Sequence, residues 1–160
     1  MEKEIILGID PGTKVTGYGV ILKEKGNIIP LDFGCIRPPY KLDLHSRYLI
    51  IFESLEEIIK KYNPTSVAIE TQFVQKNVQS ALKLGMARAC AILAAKRNNL
   101  SLFEYAPKKA KLSVVGVGSA SKEQVSKMVK MILNIQDVKI PEDATDALSI
   151  AICHSHQRRF

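Results

Sequence analysis

Apolar and polar positions along this chain recur with two different periods, and the switches between them outline five strands and four helices. The apolar run Ile5–Ile9 stops abruptly at Asp10-Pro11-Gly12. A second run, Gly17–Lys23, leads to the turn residues Lys25-Gly26-Asn27, and Ile28–Ile36 returns as a third. Short Ile- and Val-rich runs bounded by Gly and Pro read as strands, so the chain opens with an antiparallel meander. Pro38-Pro39 breaks it. From Leu42 to Tyr62 the spacing changes: Tyr48, Ile51, Phe52, Leu55, Ile58, Ile59 and Tyr62 fall three and four apart, as on one helix face, until Asn63-Pro64 ends the run.

Ser66–Glu70 then reads as a strand ending, like the first, on a carboxylate. A meander followed by a helix crossing to a parallel strand implies a mixed sheet. Asn77–Asn98 predicts a long helix with the small residues Ala81, Gly85 and Ala89 at every fourth position. That stripe suits either packing against the sheet or contact with a second copy of the chain. Leu100–Tyr105 predicts a fifth strand, and Pro107–Ala120 reads as a loop. Ser121-Lys122-Glu123-Gln124 is a capping box, opening a helix with Val125, Met128, Val129 and Ile132 on one face. Pro141-Glu142-Asp143 opens the last helix, where acids suit the positive end of the helix dipole. The dipole does not explain why Asp143 and Asp146 fall three apart, on one face.

At 160 residues, 46% of them hydrophobic, the chain reads as one globular domain over 1–160, with about 155–160 as a tail. Charged Glu2, Lys3 and Glu4 before a short apolar run do not resemble a secretory leader, and no run looks long enough to span a membrane. Cys35, Cys90 and Cys153 are odd in number and far apart, which excludes a disulfide framework and points to small buried residues in a cytoplasmic protein. A zinc site at His154 and His156 lacks further ligands, and His45 carries no chemistry.

The net charge of +7 is unevenly spread. Between Thr71 and Lys122 stand Lys76, Lys83, Arg88, Lys96, Arg97, Lys108, Lys109, Lys111 and Lys122 against a single acid, Glu104. This positive stretch suits either nucleic acid or a merely solvated surface. Asp10 alone is consistent with a turn or with a metal or phosphate site. If the strands ending in Asp10 and Glu70 are neighbours, their carboxylates share a crevice and repel unless a cation lies between them. With Asp143 and Asp146 they make four acids able to hold hard divalent ions beside a basic surface, as phosphodiester cleavage requires.

Specific blocks carry a resemblance. Leu7-Gly8-Ile9-Asp10-Pro11-Gly12, Thr16-Gly17-Tyr18-Gly19-Val20, Ala68-Ile69-Glu70, Lys76-Asn77, Ser80–Gly85, Val114–Ala120 and Asp143-Ala144-Thr145-Asp146-Ala147-Leu148 resemble, in order, the RuvC family of Holliday-junction resolvases. The resemblance spans about Ile5 to His154. It implies a ribonuclease-H-like α/β fold with a mixed five-stranded sheet flanked by helices. It also implies a homodimer that nicks two strands of a four-way DNA junction symmetrically in recombination and repair. The family's catalytic, metal-binding acids fall on Asp10, Glu70, Asp143 and Asp146. Two Mg²⁺ per site are implied, with Mn²⁺ as a substitute. The family's active-site basic residues fall on Lys111 and Lys122, which otherwise serve as general DNA contacts beside Lys76, Lys83, Lys108 and Lys109. Phe73 matches an aromatic that would stack on unpaired bases, unless it anchors its loop. His154 is an outside candidate near the metals. Association with the branch-migration proteins RuvA and RuvB follows from family analogy. The opening motif is also similar to the phosphate loop of actin-like ATPases and sugar kinases, but those need two such domains. A non-cleaving junction-binding module is the third reading.

Overall fold

The computed structural model describes residues 3–71 and 77–157. Its five-stranded sheet has the order β3-β2-β1-β4-β5. β1 (Glu4–Asp10), β2 (Thr16–Glu24) and β3 (Asn27–Ile36) form the antiparallel meander. Lys25 and Gly26 both have positive φ, 51° and 83°, as a two-residue hairpin turn demands. β4 (Ser66–Glu70) lies parallel to β1, and β5 (Ser101–Tyr105) parallel to β4. The mixed sheet is therefore as expected, and the strands ending in Asp10 and Glu70 are neighbours.

Each strand residue faces one of two cores, because side chains alternate across a sheet. Leu7, Ile9, Val20, Val67 and Ile69 meet α1 (Leu44–Tyr62) and α2 (Val78–Arg97). α1 starts at Asp43, whose side chain accepts from the Ser46 N–H at 3.1 Å, and stops at Asn63 in the left-handed conformation. It buries Tyr48, Ile51, Leu55 and Ile59. α2 buries Ala87, Ala91, Ala94 and Ala95, small residues that let it approach α1 closely.

Ile6, Ile21 and Ala68 face the opposite core, beneath α5 (Glu142–Ser155), with α3 (Pro107–Val115) and α4 (Lys122–Leu133) beside it. Leu148, Ile150 and Ile152 of α5 are fully buried, each contributing about 1.5–3 kcal/mol. The helix can sit close because the strand positions directly beneath it are glycines. A Cβ on Gly8 would lie 2.1 Å from the Ala147 carbonyl oxygen, and one on Gly17 2.0 Å from that of Asp143. On Gly19 it would meet Leu148 Cδ2 at 2.5 Å.

Two expectations need correction. Residues 107–115 are a helix, α3, and not part of a loop. Its signals are Pro107 in the first turn and Gly116, at φ 87°, as the C-cap. Its buried face, Ala110 and Val114, is too narrow to announce itself as a periodic pattern. α2 is also long and apolar enough, by length and composition, to cross a membrane, contrary to the expectation that no run is. Here it packs on α1 along its alanine face.

Substituting Gly17→Ala should lower unfolding free energy by at least about 1–3 kcal/mol, since backbone lies in the way. Urea unfolding of the variant checks this; unchanged stability would mean that α5 does not seat on the strand.

Candidate active site

β1 is buried from Ile6 onward and ends in Asp10, which stays 8% exposed on the α5 side of the sheet. Gly17 pairs with Asp10 and leaves room for the first turn of α5 directly over the sheet. The helical period then brings Asp143 and Asp146 down beside the strand end. Carboxylate oxygens of Asp10, Asp143 and Asp146 all lie within 4.8 Å of one another. Glu70, at the end of the adjacent strand, accepts a hydrogen bond from the Asp10 carboxyl group.

This crowding reshapes the titration of the acids. Burial, then the hydrogen bond and charge of Glu70, then Asp143, push the Asp10 pKa from 3.8 to about 9. Burial and the charges of Asp10 and Glu142 push Asp146 to about 7. Lys122 opposes both shifts. All the donors are hard oxygens, and their mutual repulsion is relieved by a divalent cation, so this donor set fits a hard divalent metal. Three of the four candidate acids therefore converge, and Glu70 joins them through Asp10.

The basic candidates divide. Lys122, the first residue of α4, is within electrostatic reach of Asp10, Asp143 and Asp146. Its ammonium pairs with Glu142, whose hydrogen bond and charge are the main reasons its pKa is raised. Lys111 is half-buried on α3 and forms no ion pair among those of the described residues. Lys108 and Lys109 are exposed in the first turn of α3, with Lys109 Nζ 5.4 Å from the Tyr105 ring centre. Lys83 is exposed on α2, and Glu104, the one acid of the basic stretch, pairs with Arg88. Phe73 and Lys76 lie outside the described residues. Ala81 is half-buried and Gly85 and Ala89 are exposed, on the side of α2 away from its buried alanines. Gly85 and Ala89 therefore do not pack in the core.

His154 is not near the acids. It follows Asp146 by eight residues, about 12 Å along α5. It is buried at the other end of the sheet, with Tyr105 Oη 2.6 Å from Nδ1 and Ser66 Oγ 3.2 Å from Nε2. Glu4 lies 3.5 Å from the same Nε2. Cys153 is buried as expected, whereas Cys35 and Cys90 are only partly so; none is in a disulfide. Along the sequence Glu142 reads only as a helix-dipole acid, and the glycine strip under α5 has no assigned use. The alternate glycines Gly17 and Gly19, opposite Gly8, were the available signal.

A mixed sheet in this order, with helices on both faces and carboxylates at adjacent strand ends, defines the ribonuclease-H-like class of α/β proteins. Within that class the comparisons agree on one family. A family profile described as "Crossover junction endodeoxyribonuclease RuvC" matches residues 6–154. The chain belongs to the RuvC family. It is 55% identical over 151 residues to the crossover junction endodeoxyribonuclease RuvC of Protochlamydia amoebophila, covering 94% of this chain and 90% of that one. To the RuvC of Chloroherpeton thalassium it is 49% identical over 149 residues, covering 93% and 80%. Thermus thermophilus RuvC, 29% identical, superposes with a TM-score of 0.85, covering 94% of this chain and 93% of that one. The same protein solved in complex with a Holliday junction substrate gives 0.89, covering 95% and 93%.

The pKa shifts have a sign that can be tested. Between 3.8 and about 9 the folded chain binds more protons than the unfolded chain at Asp10, so without metal its stability falls as pH rises through that window. Thermal melts in chelator should show this decline, and Asp10→Asn should flatten it. Added Mn²⁺ should raise the melting temperature more at pH 8 than at pH 5. A metal-free stability that climbs across the window would contradict the carboxylate crowding.

Proposed function

We propose that the whole chain is a single nuclease domain that acts as a homodimer and resolves four-way DNA junctions by paired symmetric nicks. The observation that carries this reading is the convergence of Asp10, Asp143 and Asp146 within 4.8 Å, with Glu70 bonded to Asp10, in a chain of the RuvC family. Asp10, Glu70, Asp143 and Asp146 hold the metal, two Mg²⁺ per site, with Mn²⁺ able to replace them. Bound there, such ions activate water and stabilise the leaving oxygen of a phosphodiester. The chain's own residues do the rest. The four carboxylates fix where the phosphate must lie, and Lys122, with Lys111, supplies positive charge as negative charge grows on that phosphate.

Lys76, Lys83, Lys108 and Lys109 extend this basic surface along the DNA backbone. Phe73, in the segment after Glu70, stacks on bases unpaired at the crossover. The dimer forms through α2. Val78, Leu82, Met86 and Leu93 are exposed together with Gly85 and Ala89, and a Cβ on Gly85 would meet nothing within 4 Å. An apolar helix face left uncovered by the described residues suits a second copy, whose active site cuts the opposite strand. The similarity to the junction-bound Thermus thermophilus protein supports the substrate. The enzyme would work in the cytoplasm, in association with RuvA and RuvB.

The test is cleavage of an immobile four-way junction in Mg²⁺, beside linear duplex and single strand. The wild type should cut only the junction, in symmetric pairs. Asp10→Asn should lose about 100-fold or more in rate while still binding the junction. Leu82→Glu should run as a monomer and leave unpaired nicks. Tight junction binding without cleavage in any divalent metal would instead make this a binding module, and equal cutting of all three DNAs would remove junction selectivity.

A further inference from the structure

Glu142 is the first residue of α5, and Asp146 lies one turn further along the same helix face. Lys122 is the first residue of α4, and its ammonium bonds to the Glu142 carboxylate across the two helix N-termini. Beyond Glu142, the acids within Lys122's electrostatic reach are Asp146, Asp143 and Asp10, the residues read above as metal ligands. Lys122 is thus an intramolecular cation tethered by a flexible four-carbon stem at the edge of a carboxylate cluster. A free ammonium at that position would pair with Asp146 and compete for oxygens that a divalent ion needs.

We infer that Glu142 is a positioning residue that holds Lys122 at the rim of the acidic cluster, leaving Asp143 and Asp146 open to metal. Both partners are mostly exposed, at 75% and 59% of their side chains, so the bond is weak enough to exchange. A phosphate arriving beside the acids can then take the ammonium from Glu142. The same pair thereby keeps the lysine away from the metal ligands before substrate binds and delivers it to substrate afterwards. This inference rests on the metal-site reading proposed above.

The experiment is a double-mutant cycle read by calorimetric titration of Mn²⁺ in the absence of DNA. Wild type, Glu142→Gln, Lys122→Ala and the double variant are compared, each checked for a native thermal transition. Glu142→Gln should weaken Mn²⁺ binding by about two- to fivefold when Lys122 is present. In the Lys122→Ala background the same change should have an effect at least twofold smaller, because no ammonium remains to fall into the cluster. Unaltered Mn²⁺ affinity in Glu142→Gln would overturn the inference. So would an equal loss in both backgrounds, which is the result if Glu142 acts only through its own charge. A wild type that takes up no Mn²⁺ would overturn the metal-site reading itself, a separate and recognisable failure.

Discussion

Everything at this site depends on how closely one helix can lie against one sheet. α5 rests on strand positions where Gly8, Gly17 and Gly19 leave no side chain, and each added Cβ would strike the helix at 2.5 Å or less. Were the helix lifted by the width of a methyl group, Asp143 and Asp146 would rise off Asp10. The seat is held by Leu148, Ile150 and Ile152, all fully buried. Packing and the geometry of the acid cluster therefore make the same demand on these residues, and a change meant for one alters the other.

That seat imposes an electrostatic conflict. Holding Asp10 ionised where its pKa is pushed from 3.8 to about 9 costs on the order of several kcal/mol at alkaline pH. The apolar burial of α5 is of comparable size and can support it. The conflict is what gives the cluster its appetite for a cation, since a divalent ion turns mutual repulsion into shared attraction. Lys122 partly answers the same demand, and its pairing with Glu142 keeps the answer incomplete.

Much of this was legible along the chain because the strands and long helices have strong periods and clear punctuation. The Ser121–Gln124 capping box occurs as read, and Asn77 and Asn98 bound α2 as expected. The four acids could be named because each stands at a strand end or within the first two turns of the last helix. What escaped was decided by tertiary contact. α3 has only Ala110 and Val114 as a buried face, so it read as a loop. The small-residue stripe of α2 allowed two uses, and only the position of the helix on α1 turned Gly85 outward. His154 lies on the same helix as two of the acids, yet helical rise carries it to Ser66 at the far end, where the Tyr105 hydroxyl also reaches it. The strand glycines have no pattern along the chain that by itself shows their use, which is thinness beneath α5.

The most direct measurement is anomalous diffraction from crystals of the protein grown with Mn²⁺ at pH 8. Peaks within coordination distance, about 2–2.5 Å, of Asp10, Asp143 and Asp146, with Glu70 contributing, are the predicted result. Mn²⁺ absent from that cluster, or bound only elsewhere on the surface, would contradict the claim that the seating of α5 builds a metal centre.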